Sequence, residues 1–349
     1  MLTDKSYIAL SFLNELIQKQ SGHLVSLSKE FESYLPQVTM IADSKANKKI
    51  SLSSLSNEKY IDDKLKKQII KLSECRTVVF QTDKIKFTLE FYSSGESLDK
   101  LIPVLMYSLA FTSLIGPHSV ENIHIKYYLL DVKRVLDGDN YFDKEEVNGG
   151  ACWTSPVDCD ITVWRKEEIV KVSIHELIHG LSYDYKQDTQ DIIDHYQSKY
   201  GITSPKMNTF EGYTELWAEI IHCFILAKTS NMINSNVSLY DYFSFFIGAE
   251  IQFSLIQASK VLQLTRKQKD VNKYTNVTAY YLIKTELWLD LNNFLQHCMR
   301  FNKDRIKLTD KSRFLDYLKG LPKLKEKSYK LSGYLKQTTR MTCLEMKLF

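Results

Sequence analysis

At 349 residues, 44% hydrophobic and 25% charged, the chain can bury a large core, and its length allows two or three subdomains. The composition excludes a disordered or fibrous protein. The net charge of +4 is small, but residues 301–349 carry thirteen Lys or Arg against five Asp or Glu; nucleic acid or an acidic surface could be contacted only through this basic C-terminal tail, whose plainer reading is a solvated exterior.

Six cysteines, at 75, 152, 159, 223, 298 and 343, show no C-x-x-C spacing. That argues against a structural zinc knuckle and suits a reduced intracellular protein. Cys152 and Cys159 flank one turn-rich stretch and could pair in an oxidising compartment, but two free thiols are expected. There is no eighteen-residue apolar run and no recognisable secretion signal, since Tyr7–Leu13 is followed directly by Asn14 and Glu15. The expectation is an intracellular protein without membrane insertion.

Residues 1–75 read as a mostly helical region, with an amphipathic helix over Tyr7–Gln18, Ser- and Lys-rich connections such as Ser44–Ser56, and a helix over Asp62–Cys75. Thr77–Thr82, a turn at Asp83-Lys84 and the alternating Ile85–Phe91 form a β-hairpin. Leu98–Leu114 is an apolar helix stopped by Gly116-Pro117, and Ile123–Val135 is a strand. A loop follows with Asp137-Gly138-Asp139-Asn140 and Asn148-Gly149-Gly150. A strand over Asp160–Arg165 leads directly into a helix over 167–181, with Glu167 and Glu168 in its first turn. Beyond Tyr185 the pattern is mainly helical: Asn208–Ala227, Leu239–Leu264, Ala279–Met299 and Lys311–Lys319. The expected fold is α+β, with a mixed sheet subdomain over 76–200 and a helical subdomain over 201–349.

The helix over 167–181 contains His175-Glu176-Leu177-Ile178-His179, an H-E-x-x-H pattern. Ile174, Leu177, Ile178 and Leu181 give it one buried face, and His175 and His179 project side by side one turn apart. Both imidazoles can reach one metal ion. Glu176 is turned about one hundred degrees away, where a general base for a metal-activated water belongs. A catalytic zinc site needs a third protein ligand. A histidine six residues after His179 is excluded, because Tyr185 stands there.

The later helix supplies carboxylates instead: Glu211, Glu215 and Glu219 recur at i, i+4 and i+8 among Leu216, Trp217, Ile220 and Phe224. Carboxylates on so apolar a helix need a partner, and Zn²⁺ would be one. Asn208-Thr209-Phe210-Glu211 has the form of a capping box, which assigns Glu211 a structural task. Glu215 is therefore expected to be the ligand, with Glu219 accepting a hydrogen bond from a ligand histidine and Glu211 as the alternative. Tyr213 and His195, the latter from the loop after the metal helix, are candidate transition-state stabilisers. Packing is the alternative role for Tyr213. Arg165, ending its strand, is a candidate for binding a substrate carboxylate or for pairing with Glu168.

With its downstream Glu-x-x-Ala-Glu, the H-E-x-x-H motif resembles the gluzincin branch of zinc metallopeptidases. More narrowly, Val147–Gly150, Trp164–Glu168 and Tyr280-Tyr281-Leu282-Ile283-Lys284 are similar to predicted metallopeptidases of large nucleocytoplasmic DNA viruses. The similarity is closest over residues 123–225 and does not reach the first sixty. It implies a zincin-like fold with strand 160–165 at the rim of the cleft, and a host-cytoplasmic or virion location. The function expected is hydrolysis of peptide bonds in a protein or peptide substrate, with water activated by Zn²⁺ and Glu176. The alternative is a zinc-stabilised viral structural or scaffold protein without turnover.

Overall fold

The computed structural model describes residues 2–56, 58–136, 142 and 144–349. The turn expected at Asp137-Gly138-Asp139-Asn140 lies outside the described residues. In chain order the helices are α1 (Asp4–Leu13), α2 (His23–Ser33), α3 (Asp63–Ile69), α4 (Leu101–Leu114), α5 (Lys144–Val147), α6 (Ile169–Gly180) and α7 (Gln190–Tyr200). They continue with α8 (Thr209–Ile233), α9 (Leu239–Lys267), α10 (Lys284–Leu289), α11 (Leu291–Phe301), α12 (Lys311–Gly320) and α13 (Gly333–Gln337). The strands are β1 (Thr39–Asn47), β2 (Glu74–Gln81), β3 (Lys86–Ser93), β4 (Asn122–Tyr128), β5 (Gly150–Thr154) and β6 (Asp158–Val163). The protein is α+β, and its chain divides into two compact units.

The sheet unit comprises residues 34–133, 148–183 and 348–349. Its six strands run in the order β1-β2-β3-β4-β6-β5. The β2–β3 hairpin closes through Thr82, whose hydroxyl accepts from Ile85 N at 3.1 Å. β3 and β4 pair in parallel, with α4 as the crossover between them. Phe87, Leu89 and Phe91 of β3 and Ile123, Ile125 and Tyr127 of β4 are buried on one face. Phe91 stacks on Tyr127 at 4.8 Å between ring centroids, and the Tyr127 hydroxyl meets Ser173 Oγ of α6 at 3.1 Å. Tyr92 and Tyr128, pointing the other way, pack with Leu65 and Ile69 of α3 and with Trp164.

Three expectations are corrected here. The region read as mostly helical contains β1, all of whose residues are exposed, so it lacks the alternation that reveals a half-buried strand. β4 ends at Tyr128, well before Val135. The strand expected to rim the cleft, β6, is interior, paired in parallel with β4 and antiparallel with β5. The free edge beside it is β5, a five-residue strand opening on Gly150, too short and glycine-rich to stand out as a strand.

The helical unit comprises residues up to Ser33, 134–147 and 184–347. α8 and α9 form its centre, with Phe224 of α8 edge-on to Phe31 at 5.1 Å and to Phe243 at 5.5 Å. The single helix expected over Ala279–Met299 is three pieces: a π-helical turn over Thr278–Ile283, then α10, then α11 after a break at Asp290. The π turn lies hard against α8 at Gly212, where a Cβ would come 3.0 Å from Ile283 Cγ2 and 3.1 Å from the Ala279 carbonyl oxygen. The basic tail is not simply a solvated exterior. Residues 338–344 are buried, Gln257 Nε2 donates to the Arg340 carbonyl at 2.6 Å, and the Glu250 carboxylate accepts from Cys343 N at 3.1 Å.

No described helix is long and apolar enough to cross a membrane. Among the described residues no disulfide forms; Cys152 and Cys159 stand 3.4 Å apart, sulfur to sulfur.

Candidate metal centre

The apolar period of α6 does what its spacing dictates: Ile174, Leu177, Ile178 and Leu181 are all buried. The helix begins later than expected. Glu168 holds a left-handed backbone (φ 60°) as the N-cap residue, so neither Glu167 nor Glu168 lies in the first turn. His175 and His179 then fall one turn apart, with their Nε2 atoms 3.1 Å from each other. Two nitrogens bound to one tetrahedral Zn²⁺ at about 2.0–2.1 Å would be roughly 3.3 Å apart, so the pair is already near ligand geometry.

Among the described residues, one group of three has metal-ligand spacing: His175, His179 and Glu211 each offer an atom within 4.8 Å of the others. The donor set, two imidazoles and a carboxylate, suits zinc. Glu176, on the same helix, is buried beside the start of β5. A Cβ at residue 150 would come 2.7 Å from Glu176 Cγ and Oε1, so only glycine leaves that carboxylate its place.

Glu211 is held from behind by Asn276 Nδ2, which donates to Oε1 at 3.2 Å, and by the Tyr280 hydroxyl, which donates to Oε2 at 3.1 Å. The capping box that was to occupy Glu211 does not form. Asn208 has a left-handed backbone and no side-chain capping bond, and its amide donates to Asn276 Oδ1 at 2.7 Å. Asp188 caps the helix instead, accepting from Thr209 N at 3.1 Å, and burial raises its pKa. The argument that favoured Glu215 over Glu211 therefore loses its premise.

Compared with protein-family models, curated proteins and solved structures, the chain matches none.

The remaining candidates sit as follows. Glu215 is fully buried, and its negative charge acts on Lys284. Glu219 accepts from Lys284 Nζ at 2.5 Å and from Trp288 Nε1 at 2.9 Å, so each oxygen serves a buried donor of α10. Burial pulls the Lys284 ammonium down, but Glu219, Glu215 and Glu250 together outweigh it and hold its pKa above the usual value. Tyr213 has its hydroxyl donated to the Ile306 carbonyl and is fully buried, a packing role rather than one at a reacting carbonyl. His195 lies on α7, not in a loop, edge-on to Tyr196; burial first, then Lys199 and Lys319, lower its pKa. Arg165 follows β6 and is completely buried, which removes it as a surface site for a substrate carboxylate. Asn276 and Tyr280, the donors to Glu211, carry no motif of their own. Only Tyr280 had a signal in the sequence, through the Tyr280–Lys284 stretch, most of which folds as a π turn, a distortion often found where function needs it.

Proposed function

We propose that the protein is a zinc-dependent peptidase of the gluzincin type, acting on protein or peptide substrates. One observation supports it above the others: two histidines of α6, the helix that also carries the buried Glu176, and the Glu211 carboxylate of α8 each offer a ligand atom within 4.8 Å of the others. His175, His179 and Glu211 would hold the ion. Zinc supplies Lewis acidity, which acidifies a water and polarises a carbonyl.

Glu176 accepts the proton of the attacking water on its carboxylate and passes it to the leaving amine. Asn276 and Tyr280 donate to both oxygens of Glu211, which keeps that carboxylate oriented. β5 is the substrate-binding strand in this reading. Its outer edge is unpaired in the sheet order, its first residue touches Glu176, and an extended peptide can add to such an edge through backbone hydrogen bonds.

The test combines metal analysis with profiling of new N-termini in a lysate exposed to wild-type and Glu176→Gln protein. The wild type should carry one zinc per chain and generate new N-termini. Glu176→Gln should keep the zinc and generate none. Equal cleavage by both proteins, or wild-type protein without zinc, would overturn the proposal.

A further inference from the structure

A second feature lies in the helical unit, whereas the histidines belong to the sheet unit. α9, the segment 327–331 and α13 enclose a pocket of about 270 Å³. Four lysines line it, Lys260, Lys267, Lys327 and Lys336, together with Tyr329 and Gln263, and no carboxylate is among the lining residues. Lys267, Lys327 and Lys336 are exposed at its rim, whereas Lys260 is partly buried. The Lys260 ammonium donates to the Thr338 carbonyl at 2.9 Å. Among the described residues, none of the four ammonium groups forms a salt bridge. Glu326, the nearest acid in sequence, is engaged by Arg266 and by Gln263 Nε2.

Four like charges around one small cavity repel one another, and a buried ammonium held by a single carbonyl is a costly group to retain. Burial alone brings Lys260 down to about 7, so near neutrality the cavity floor can take up a proton when a negative ligand arrives. Burial also raises the pKa of Tyr329, which keeps its hydroxyl a donor. Every titratable group lining the pocket is a lysine or this tyrosine, so the site offers cationic and neutral donors without a competing anion.

We propose that this pocket binds the phosphoryl group of a small phosphate ester or polyphosphate, with Lys260 beneath it and Lys267, Lys327 and Lys336 around it. A phosphate presents several acceptor oxygens and more than one negative charge, which the ring of ammonium donors matches. The cavity volume suits one phosphorylated group better than a long strand.

The test titrates inorganic tripolyphosphate into the full-length protein by calorimetry at low ionic strength, in a buffer free of phosphate. Saturable binding is expected, weakened about tenfold or more by Lys260→Met and by Lys336→Glu, as loss of a charge-assisted contact predicts. Lys336 is exposed, so its reversal reports on the pocket even if Lys260→Met misfolds. Lys59→Glu, an exposed lysine of the sheet unit, should leave binding unchanged. A labelled single-stranded oligonucleotide added in competition identifies the source of the phosphate: displacement of tripolyphosphate assigns the site to a nucleic-acid backbone, and no displacement assigns it to a small molecule. Absence of saturable binding, or equal weakening by Lys59→Glu and Lys336→Glu, overturns the proposal.

Discussion

Three glutamates on α8 have three different surroundings, and substitution should separate them. Glu211→Gln is expected to weaken zinc binding most, by more than the 10–100-fold typical of losing a ligand's supporting partner, as read by competition with a chelator. Glu219→Gln should keep its metal but lose about 3 kcal/mol of stability in urea unfolding, because the buried Lys284 ammonium then loses the carboxylate it is bonded to. If Glu215→Gln released zinc more readily than Glu211→Gln, the ligand would be Glu215. The histidine pair was legible in the sequence because i, i+4 spacing on a helix is a local fact. The choice among glutamates was not, because Lys284, Trp288 and Tyr280 come from more than sixty positions further along the chain. Lys260 gives a residue-scale test of pH dependence. Its pKa is about 7 in the fold against about 10.4 in an unfolded chain, so between those values the unfolded state holds more protons and stability rises with pH. Lys260→Met should therefore raise the melting temperature most near pH 6–7, with the advantage shrinking towards pH 10.

At the scale of elements, the glycines that permit close approach are the sensitive points. Gly150→Ala must displace the Glu176 side chain or Val172 Cγ1, which stands 2.9 Å from the added Cβ. The expected result is retained zinc with strongly reduced hydrolysis, and unchanged turnover would remove β5 from the site. Gly212→Ala presses α8 against the π turn and should cost about 1–3 kcal/mol as an overpacked contact. Both sheet edges are candidates for an added strand, but only β5 borders Glu176. A photo-crosslinking residue at Thr154 should capture a peptide substrate and one at Met40 of β1 should not; capture at Met40 alone would move the substrate to the wrong edge. The β2–β3 hairpin could be read directly, since its first arm is rich in β-branched residues, its second arm alternates and a turn separates them. β5 could not, because nothing in five residues beginning with glycine distinguishes an edge strand from a loop.

Over the whole molecule, the two units carry their charges differently. In the sheet unit Glu90 is held down to about 2 by His124, with Lys48 and Tyr92 also lowering it. The stability it contributes is present above pH 4.5 and is lost as the pH falls towards 2. In the helical unit burial raises Glu250, Glu286 and Asp188. There the folded state binds protons more readily than the unfolded one, so stability falls as the pH rises from about 4.5 through the raised values. Hydrogen exchange followed from pH 7 down to pH 3 should loosen β3 relative to α9 and α10, after correction for intrinsic rates. Uniform loosening of both units would show that these buried acids do not govern the response.

What the sequence determined by itself was local: the amphipathic face of α6, the side-by-side histidines with Glu176 between them, the β2–β3 hairpin and the apolar helices α4, α8 and α9. Each of these follows from side-chain periodicity within a single element, which states which face is buried before any partner is known. Only the tertiary structure decided that β5 rather than β6 forms the edge beside Glu176, that Asp188 rather than Asn208 caps α8, and that Glu219 belongs to Lys284 and Trp288. Strand order and the partner of a buried charge depend on which distant segments close against one another, and neither leaves a period in the chain.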